Sequence, residues 1–491
     1  MSNQRPNAEV KYELLEDYYS RPAVRRSYVW SAGGLLLLVS CVSIISLYVT
    51  IDRMLAGKEN IGALDFIMTG PDKVMTGHVE MSRMRGEMYA TAVYHSINAS
   101  AQSFAILGNT VTVDKEIDAV YTIVEAAPLK LVCYYSLPDN ESMTDQLWPE
   151  LVDPLLCTHI LIAFANADNK TIQPTHTSDV EIYHQIVDMK KQNPTLKVMI
   201  SIQCFSNNGE LAAVVDTKQS RQTFIASVVQ FLVMHNFDGI DIDWEFPVWP
   251  GSDMKQLNDF TALLKELRTA LASIQGDRKL ISVAVAAPQT IVDAAYQVQK
   301  MAKYVDFVNL MAYDFHYFTS YLPITGPNAP LYQASFEQGI FTTLNTNWSA
   351  HYWLSKGMPL DKLVVGVPTY GHSFTLLNEE NTGWDAPATG IGKEGLEGFV
   401  VYPDICRFLD RENTKYVFDS EFKVPYTYNG REWISYDNEQ SLQYKADYIK
   451  SKGFGGVMIW SLNVDDFRAS CGKNDFPLVR QVKNILEDDQ L

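Results

Sequence analysis

Short apolar runs rich in β-branched residues alternate with longer segments of helical periodicity along the chain after about residue 130. Repetition of a strand followed by a helix is typical of βα units built around a parallel sheet. The predicted strands are Lys130–Tyr135, Thr158–Ala165, Lys197–Ile202, Gly239–Trp244, Ile281–Ala286, Asp306–Met311, Leu363–Pro368 and Gly456–Trp460.

Eight such units predict an α/β fold of the (β/α)8 TIM-barrel type, with a functional site at the carboxyl ends of the strands. The interval between the last two strands, from Pro368 to Gly456, is too long for one helix. We therefore expect a small α+β insertion at about 374–440. A doubly wound open sheet is the alternative, but no glycine-rich phosphate loop follows the first strand to support it.

Residues 28–51 form an uncharged and largely apolar segment. At about 1.5 Å per residue such a helix reaches about 36 Å, which is enough to cross a hydrocarbon core of about 30 Å. A cleaved signal peptide and a buried soluble helix are the alternatives; the first usually has a shorter apolar core, and the second would have a polar face. The predicted organisation is a cytoplasmic tail (1–27), a transmembrane signal anchor (28–51), a stalk of unassigned structure (52–128) and the barrel (129–488).

The chain has 491 residues, and its 40 Lys and Arg against 58 Asp and Glu give a net charge of −18. This charge argues against nucleic acid as a partner, because phosphate binding requires concentrated positive charge. Arginines just before the apolar segment favour a cytoplasmic N-terminus. Candidate glycosylation sites all follow that segment, which indicates a single-pass type II protein with a lumenal or extracellular barrel. These sites are Asn98, Asn140, Asn169 and Asn347.

The run from Asp238 to Glu245, Asp-Gly-Ile-Asp-Ile-Asp-Trp-Glu, carries the candidate chemistry. Side chains alternate along a strand, so Asp241, Asp243 and Glu245 share one face and the intervening apolar residues share the other. In a barrel the apolar face packs on the helices, and the acids point inward. Like charges about 7 Å apart in a low dielectric oppose each other's ionisation, so at least one acid is expected to hold a proton near neutral pH.

A carboxyl group that keeps its proton is what a general acid needs, and a glycosidic oxygen leaves poorly until it is protonated. Glu245, outermost on the strand, is the candidate donor. A calcium-binding or merely solvated strand end is the alternative, but the spacing is not that of an EF-hand loop.

This acidic run resembles the active-site signature of glycoside hydrolase family 18, the chitinases and chitinase-like proteins. The likeness extends over roughly residues 130–486 and includes further segments in the same order. These are Leu131-Val-Cys-Tyr-Tyr, Cys157-Thr-His-Ile, Asn309-Leu-Met-Ala-Tyr-Asp-Phe-His, Thr325-Gly-Pro-Asn-Ala-Pro-Leu-Tyr, Gly366-Val-Pro-Thr-Tyr-Gly-His, Tyr436-Asp-Asn and Gly455-Gly-Val-Met-Ile-Trp-Ser-Leu-Asn-Val-Asp-Asp-Phe.

The resemblance implies hydrolysis of β-1,4 bonds in chitin-type N-acetylglucosamine oligosaccharides by a substrate-assisted, retaining mechanism. Glu245 would protonate the leaving oxygen, Asp243 would steady the acetamido group that attacks, and Asp241 would share the proton. Tyr313 would donate its hydroxyl to the acetamido oxygen. The implied substrate-binding residues are Asp238, Tyr134, Phe205, Met311, Asp314, Asp437, Met458 and Trp460.

The same resemblance implies two disulfide bonds, Cys133 with Cys157 and Cys406 with Cys471. Cys204 is left without a predicted partner, and Cys41 falls in the apolar segment. No cofactor is expected, and no Cys or His spacing suggests a metal site.

The chain departs from the family at the third strand end, where Ser201-Ile-Gln-Cys-Phe205 stands in place of Ser-x-Gly-Gly followed by Trp. Aromatic platforms are also missing after the first strand, at Ser136, and after His316. Two further hypotheses therefore stand beside hydrolysis. The first is a membrane-anchored, non-hydrolytic lectin, and the second is an adhesion protein that uses the barrel as a spacer.

Overall fold

The computed structural model describes residues 64–70, 73–84, 87–95, 104–106, 109–111, 128–138, 146–204, 209–249 and 253–488. These residues fall in two units, which divide just before Pro128. The predicted anchor at 28–51 lies outside the described residues. Within the described part of the chain, no helix combines the length and the apolar character that crossing a bilayer requires.

The region predicted as a stalk contains strands. Strands β1 (Leu64–Gly70), β2 (Lys73–Met84) and β3 (Glu87–His95) form an antiparallel sheet in that order. Strands β4 (Phe104–Ile106) and β5 (Asn109–Val111) form a separate antiparallel pair.

The unit that begins at Pro128 is built on a closed, parallel, eight-stranded barrel, as predicted. Each strand pairs with the next, and the last strand pairs with the first, which closes the ring. The barrel strands are β6 (Lys130–Ser136), β7 (His159–Asn166), β9 (Lys197–Cys204), β10 (Gly239–Trp244), β11 (Leu280–Ala286), β12 (Phe307–Met311), β13 (Leu363–Pro368) and β20 (Gly456–Trp460). The two-residue strand β8 (Gln173–Pro174) adds to β7 in the antiparallel direction.

Helices cover the outside of the barrel, and their apolar faces pack on the outward side chains of the strands. The strands read as continuous apolar runs because both of their faces are buried. The helices are α1 (Asp179–Asp188), α2 (Glu210–Val215), α3 (Lys218–Met234), α4 (Lys255–Leu271), α5 (Gln289–Ala295), α6 (Val298–Met301), α7 (Thr346–Ser355), α8 (Tyr402–Leu409), α9 (Glu439–Lys452) and α10 (Pro477–Glu487).

An antiparallel sheet is inserted between the seventh and eighth barrel strands. Its strands are β14 (Tyr370–Leu376), β15 (Ala388–Ile391), β16 (Phe399–Val401), β17 (Lys415–Phe418), β18 (Pro425–Asn429) and β19 (Glu432–Ser435). Their order in the sheet is β15-β14-β19-β18-β17, and β16 also pairs with β14. The sheet has a core of its own around Phe374 and Trp433.

Both predicted disulfide bonds are present. Cys133 in β6 is bonded to Cys157, which precedes β7, and their Cα atoms are 6.2 Å apart. Cys406 in α8 is bonded to Cys471, which follows β20, and this pair has a Cα separation of 5.5 Å. The second bond links the insertion to the end of the barrel.

Candidate active site

The acidic strand β10 has the predicted alternation. Ile240, Ile242 and Trp244 are buried on its outer side, where the ring of Trp244 meets Phe260 of α4 edge-on at 5.5 Å. The opposite face therefore points into the barrel. Asp241 lies deepest on that face, fully buried, whereas Glu245 follows the last residue of the strand and is partly exposed.

Asp241 is held by hydroxyl groups from both neighbouring strands. Ser201 of β9 and Ser282 of β11 lie directly beside it in the sheet register, and each donates a hydrogen bond of 2.6 Å to its carboxylate. Tyr134 of β6 donates a third bond, of 2.8 Å. Burial raises the pKa of Asp241, whereas these hydrogen bonds, which favour the carboxylate, lower it. Burial is the largest of these effects, so the net direction of the pKa of Asp241 is upward.

The amide of Asn309, on β12, reaches the same group and lies 3.4 Å from Asp241 Oδ1 and 3.3 Å from the Tyr134 hydroxyl. Ser282 and Asn309 had no assigned role in the sequence. Ser282 lies beside Asp241 in the parallel register, which is the signal that would have found it, whereas Asn309 lies one strand further away, on β12.

Tyr313 lies next to the acidic trio. Its pKa is raised well above the usual value by burial and by the negative charges of Asp243 and Asp314. The hydroxyl therefore keeps its proton and remains a hydrogen-bond donor at physiological pH. Asp243 itself is 3 % exposed, so its carboxylate interacts with Tyr313 in a poorly solvated place.

Tyr313 contacts Met458. Its hydroxyl lies 3.8 Å from Sδ of Met458, and Met311, at the end of β12, is also buried. Gly366 of β13 makes this packing possible, because a Cβ there would come within 2.8 Å of Met458 and 3.0 Å of the Tyr313 ring. A larger residue at 366 would push both side chains out of place.

Trp460 ends the eighth barrel strand and is partly exposed. Its ring packs edge-on against Tyr134 at 5.1 Å and stacks on Phe164 at 5.9 Å. Side chains from two strands thus hold the indole, and such a ring has the flat apolar surface that stacks on a pyranose.

Asp314 follows Tyr313 with a left-handed backbone, φ +56°. Its amide donates to Asn328 Oδ1 at 2.9 Å. Its carboxylate accepts from the Tyr370 hydroxyl at 2.5 Å and contacts His372 Nε2 at 2.8 Å. Two residues of the inserted sheet thus hold the Asp314 side chain, which remains 30 % exposed.

The three acids thus share the inward face of β10, Tyr313 follows β12, and Trp460 ends β20. The glycosyl hydrolases family 18 model matches residues 130–465. The chain belongs to glycosyl hydrolase family 18.

Relatives within the family include both chitinases and chitinase-like proteins. Chitotriosidase-1 of Mus musculus is 38% identical over 370 residues, 73% of this chain and 78% of the relative. Chitinase-3-like protein 2 of Homo sapiens is 38% identical over 369 residues, 73% of this chain and 92% of the relative.

Solved structures of the family superpose on the same part of the chain. Human YKL-39, described as a pseudo-chitinase with retained chitooligosaccharide binding properties, has a TM-score of 0.69 at 38% identity and covers 73% of this chain and 100% of its own. The Group IV chitinase of Ostrinia furnacalis in complex with allosamidin has a TM-score of 0.69 at 31% identity, with 74% and 100% covered.

Asp238 was expected to bind substrate with the rest of this family 18 signature, and that expectation is corrected. It precedes the first residue of β10, about 23 Å along the strand from Glu245. Its carboxylate binds Lys190 at 3.0 Å and the amide of Val198 at 2.7 Å. Residues at the amino-terminal end of a barrel strand serve stability, and Asp238 joins two neighbouring βα units there.

Asp437 was also expected to line the site, but the structure gives it a structural role. It is 1 % exposed, forms an ion pair with Lys445 at 2.5 Å and accepts the Ser441 hydroxyl at 2.7 Å. The buried ammonium and carboxylate neutralise each other at the start of α9, so Asp437 has little surface to offer a sugar.

Some of the remaining predicted positions fall within the described residues, and others do not. Phe205, Asn98 and Asn140 lie outside the described residues. Asn169 is exposed in a turn, whereas Asn347 accepts the Tyr448 hydroxyl at 3.0 Å in the first turn of α7. Among the residues that the structure describes, no group of three or more His, Cys, Asp or Glu side chains is placed to hold a metal ion.

Proposed function

We propose that this family 18 protein hydrolyses β-1,4 bonds between N-acetylglucosamine units in chitin-type oligosaccharides. The observation that carries the proposal is the inward row of Asp241, Asp243 and Glu245, beside a tyrosine that keeps its proton. Relatives with solved structures bind chitooligosaccharides or allosamidin. Their likeness supports the same substrate class here.

In the proposed reaction Glu245 transfers its proton to the glycosidic oxygen as the bond from that oxygen to the anomeric carbon breaks. The carbonyl oxygen of the substrate's own acetamido group attacks the anomeric carbon, so no enzyme nucleophile is needed. Asp243 stabilises the positive charge that grows on the acetamido nitrogen, and Tyr313 donates its hydroxyl to the acetamido oxygen. Water then opens the ring intermediate and returns a proton to Glu245, with net retention.

The second candidate function is a lectin that binds such oligosaccharides without cleaving them. The altered third strand end supports it, because Gln203 and Cys204 replace two glycines that allow close backbone approach. Human YKL-39, described as a pseudo-chitinase with retained chitooligosaccharide binding properties, shows that this fold can serve such a role. Against it, Glu245, Asp243 and Tyr313 are all retained.

These functions are separated by the rate at which the purified barrel releases a fluorophore from a chitotriose glycoside. The wild-type rate is compared with that of Glu245→Gln. Hydrolysis predicts turnover by the wild type and a loss of about 100-fold or more in the variant, because a general acid contributes about 10²–10⁴-fold. Absence of turnover with retained chitotriose binding by calorimetry supports the lectin. Absence of both supports the adhesion role.

We further propose that residues 28–51 anchor the protein as a single-pass type II protein, with the barrel on the lumenal or extracellular side. The disulfide bonds support this side, because they persist in oxidising compartments. The exposed Asn169 provides a test in expressing cells. Glycosidase treatment should lower the mass of the wild type, and Asn169→Gln should remove part of that change. A mass that glycosidase leaves unaltered, or protein extracted from membranes by carbonate, would contradict the proposal.

A further inference from the structure

The loop that follows the acidic strand has an unusual backbone at Val248. This residue has φ +65° and is 3 % exposed. A β-branched residue rarely adopts the left-handed region, because its Cβ substituents crowd the backbone. Something outside the loop must therefore hold Val248, three residues after Glu245, in this conformation.

Gln256 provides that restraint. Its Oε1 accepts the amide of Val248 at 2.8 Å, within a buried environment, and the side chain is 8 % exposed. Gln256 is the second residue of α4, whose first turn is fixed by Asp253 through a 2.9 Å bond from the amide of Lys255. The start of α4 thus supplies the acceptor for the buried amide of Val248, which would otherwise lack this hydrogen bond.

The same helix also holds the other side of Glu245. Phe260 lies one turn after Gln256, on the same face of α4, and its ring packs against Trp244, the residue before Glu245. One face of one helix therefore contacts both flanks of the acid. Both contacts are buried, and the contact of Phe260 with Trp244 lies on the outer side of the strand, opposite the inward row of acids.

We propose that Gln256 is a positioning residue for Glu245 and that, together with Phe260, it forms a clamp that fixes where the carboxyl group points. This inference rests on the proposed hydrolysis. The clamp acts on proton transfer and leaves sugar binding unaffected. Loss of the Gln256 contact allows Val248 to relax, and the carboxyl group then moves away from the glycosidic oxygen.

Gln256→Ala tests the clamp with two chitobiose glycosides that differ only in their leaving group. With a methylumbelliferyl glycoside, kcat should fall about 10- to 100-fold, because displacement of a catalytic group by about 1 Å can cost as much as 10²-fold, while KM stays unchanged. With a dinitrophenyl glycoside, whose leaving group departs without a proton, kcat should fall less than threefold. Equal losses with both substrates would indicate general structural damage and overturn the proposal.

Val248→Gly supplies the matched rescue. Glycine adopts positive φ without strain, so Val248→Gly alone should keep nearly wild-type kcat, and Val248→Gly combined with Gln256→Ala should recover most of the lost kcat. Lys265→Ala, at an exposed position of α4, is the control and should change nothing. Failure of the double variant to exceed Gln256→Ala would contradict the role of Val248.

Hydrogen exchange separates failure of the clamp from failure of the proposed function. Wild-type protein that turns over neither glycoside would refute hydrolysis. The rate of amide hydrogen exchange over residues 245–249 would then still test whether Gln256 restrains the loop. Exchange should be faster in Gln256→Ala than in the wild type and in Lys265→Ala. Equal exchange in all three would show that Gln256 does not restrain this loop.

Discussion

The hydroxyl of Tyr134 donates a 2.8 Å hydrogen bond to Oδ2 of Asp241, across the interior of the barrel from the first strand to the fourth. Removal of this donor in Tyr134→Phe should raise the already elevated pKa of Asp241 further. The variant should lose about 1–3 kcal/mol of stability, because a buried carboxylate loses a partner.

This loss should be larger at pH 8 than at pH 4, because the hydrogen bond from Tyr134 favours the carboxylate form of Asp241, which a higher pH populates more. Denaturant unfolding at the two pH values measures the difference. A larger loss at pH 4 than at pH 8 would contradict the assigned interaction. Tyr135→Phe, which removes a hydroxyl bonded to the Leu147 carbonyl on the outside of the strand, is the matched control and should show no such pH dependence.

Asp243→Asn should reduce kcat by about 10²–10³-fold, the usual cost of removing one preorganised electrostatic contact to a transition state. The volume of the side chain is nearly unchanged, so the midpoint of thermal unfolding should stay within about 3 °C of the wild type. Kinetics with a chitotriose glycoside and calorimetric unfolding test both statements. Wild-type kcat in this variant would remove Asp243 from the mechanism.

Cys133→Ser should lower the free energy of unfolding by about 2–5 kcal/mol, because it opens the bridge between the first barrel strand and the segment before the second. Chemical denaturation measures the loss. Cys157→Ser and the double variant should show the same loss, since each lacks the same bond. Free thiols at both positions in intact wild-type protein, detected by alkylation and mass measurement, would refute the prediction.

Asp465 should make the barrel less stable as the pH rises. It accepts the amides of Asp466 at 2.8 Å and Val479 at 3.0 Å, but burial raises its pKa to about 7. An exposed aspartate has a pKa of about 3.9, so the folded state binds the proton more tightly. The contribution of Asp465 to the free energy of unfolding therefore falls between about pH 4 and pH 7 and is constant above that range.

Asp465→Asn should remove this part of the pH dependence. Unfolding curves of the wild type, of Asp465→Asn and of the exposed control Asp410→Asn, taken from pH 4 to pH 8, test it. The slope of the free energy of unfolding against pH should be less negative in Asp465→Asn than in the wild type, and it should be unchanged in Asp410→Asn. A slope equal to that of the wild type would show that Asp465 does not titrate in this range.

The sequence predicts the barrel well because a buried parallel strand is a local pattern. The fourth, seventh and eighth strands have the predicted bounds, and the others differ by one or two residues at one end or, for the second strand, by one residue at both ends. Alternation along β10 also predicts which way Asp241 and Asp243 point. Neither result needs knowledge of distant contacts.

Asp238 and Asp437 were misassigned because their partners could not be deduced from their neighbours in the chain. Asp238 adjoins the acidic run, but it stands at the opposite end of a strand, where Lys190 from the preceding unit meets it. Asp437 lies at the helix start that brings Lys445 back to it. Long-range partners decide whether a polar residue contributes to structure or to a site.

The pairing of β20 with β6 joins segments more than 300 residues apart in the chain. A nascent chain that has not yet reached Gly456 therefore exposes two unpaired strand edges, on β6 and on β13, and such edges readily recruit other chains. Premature termination before the final strand should accordingly yield aggregates in place of a shortened protein, even though the whole acidic strand has already been synthesised.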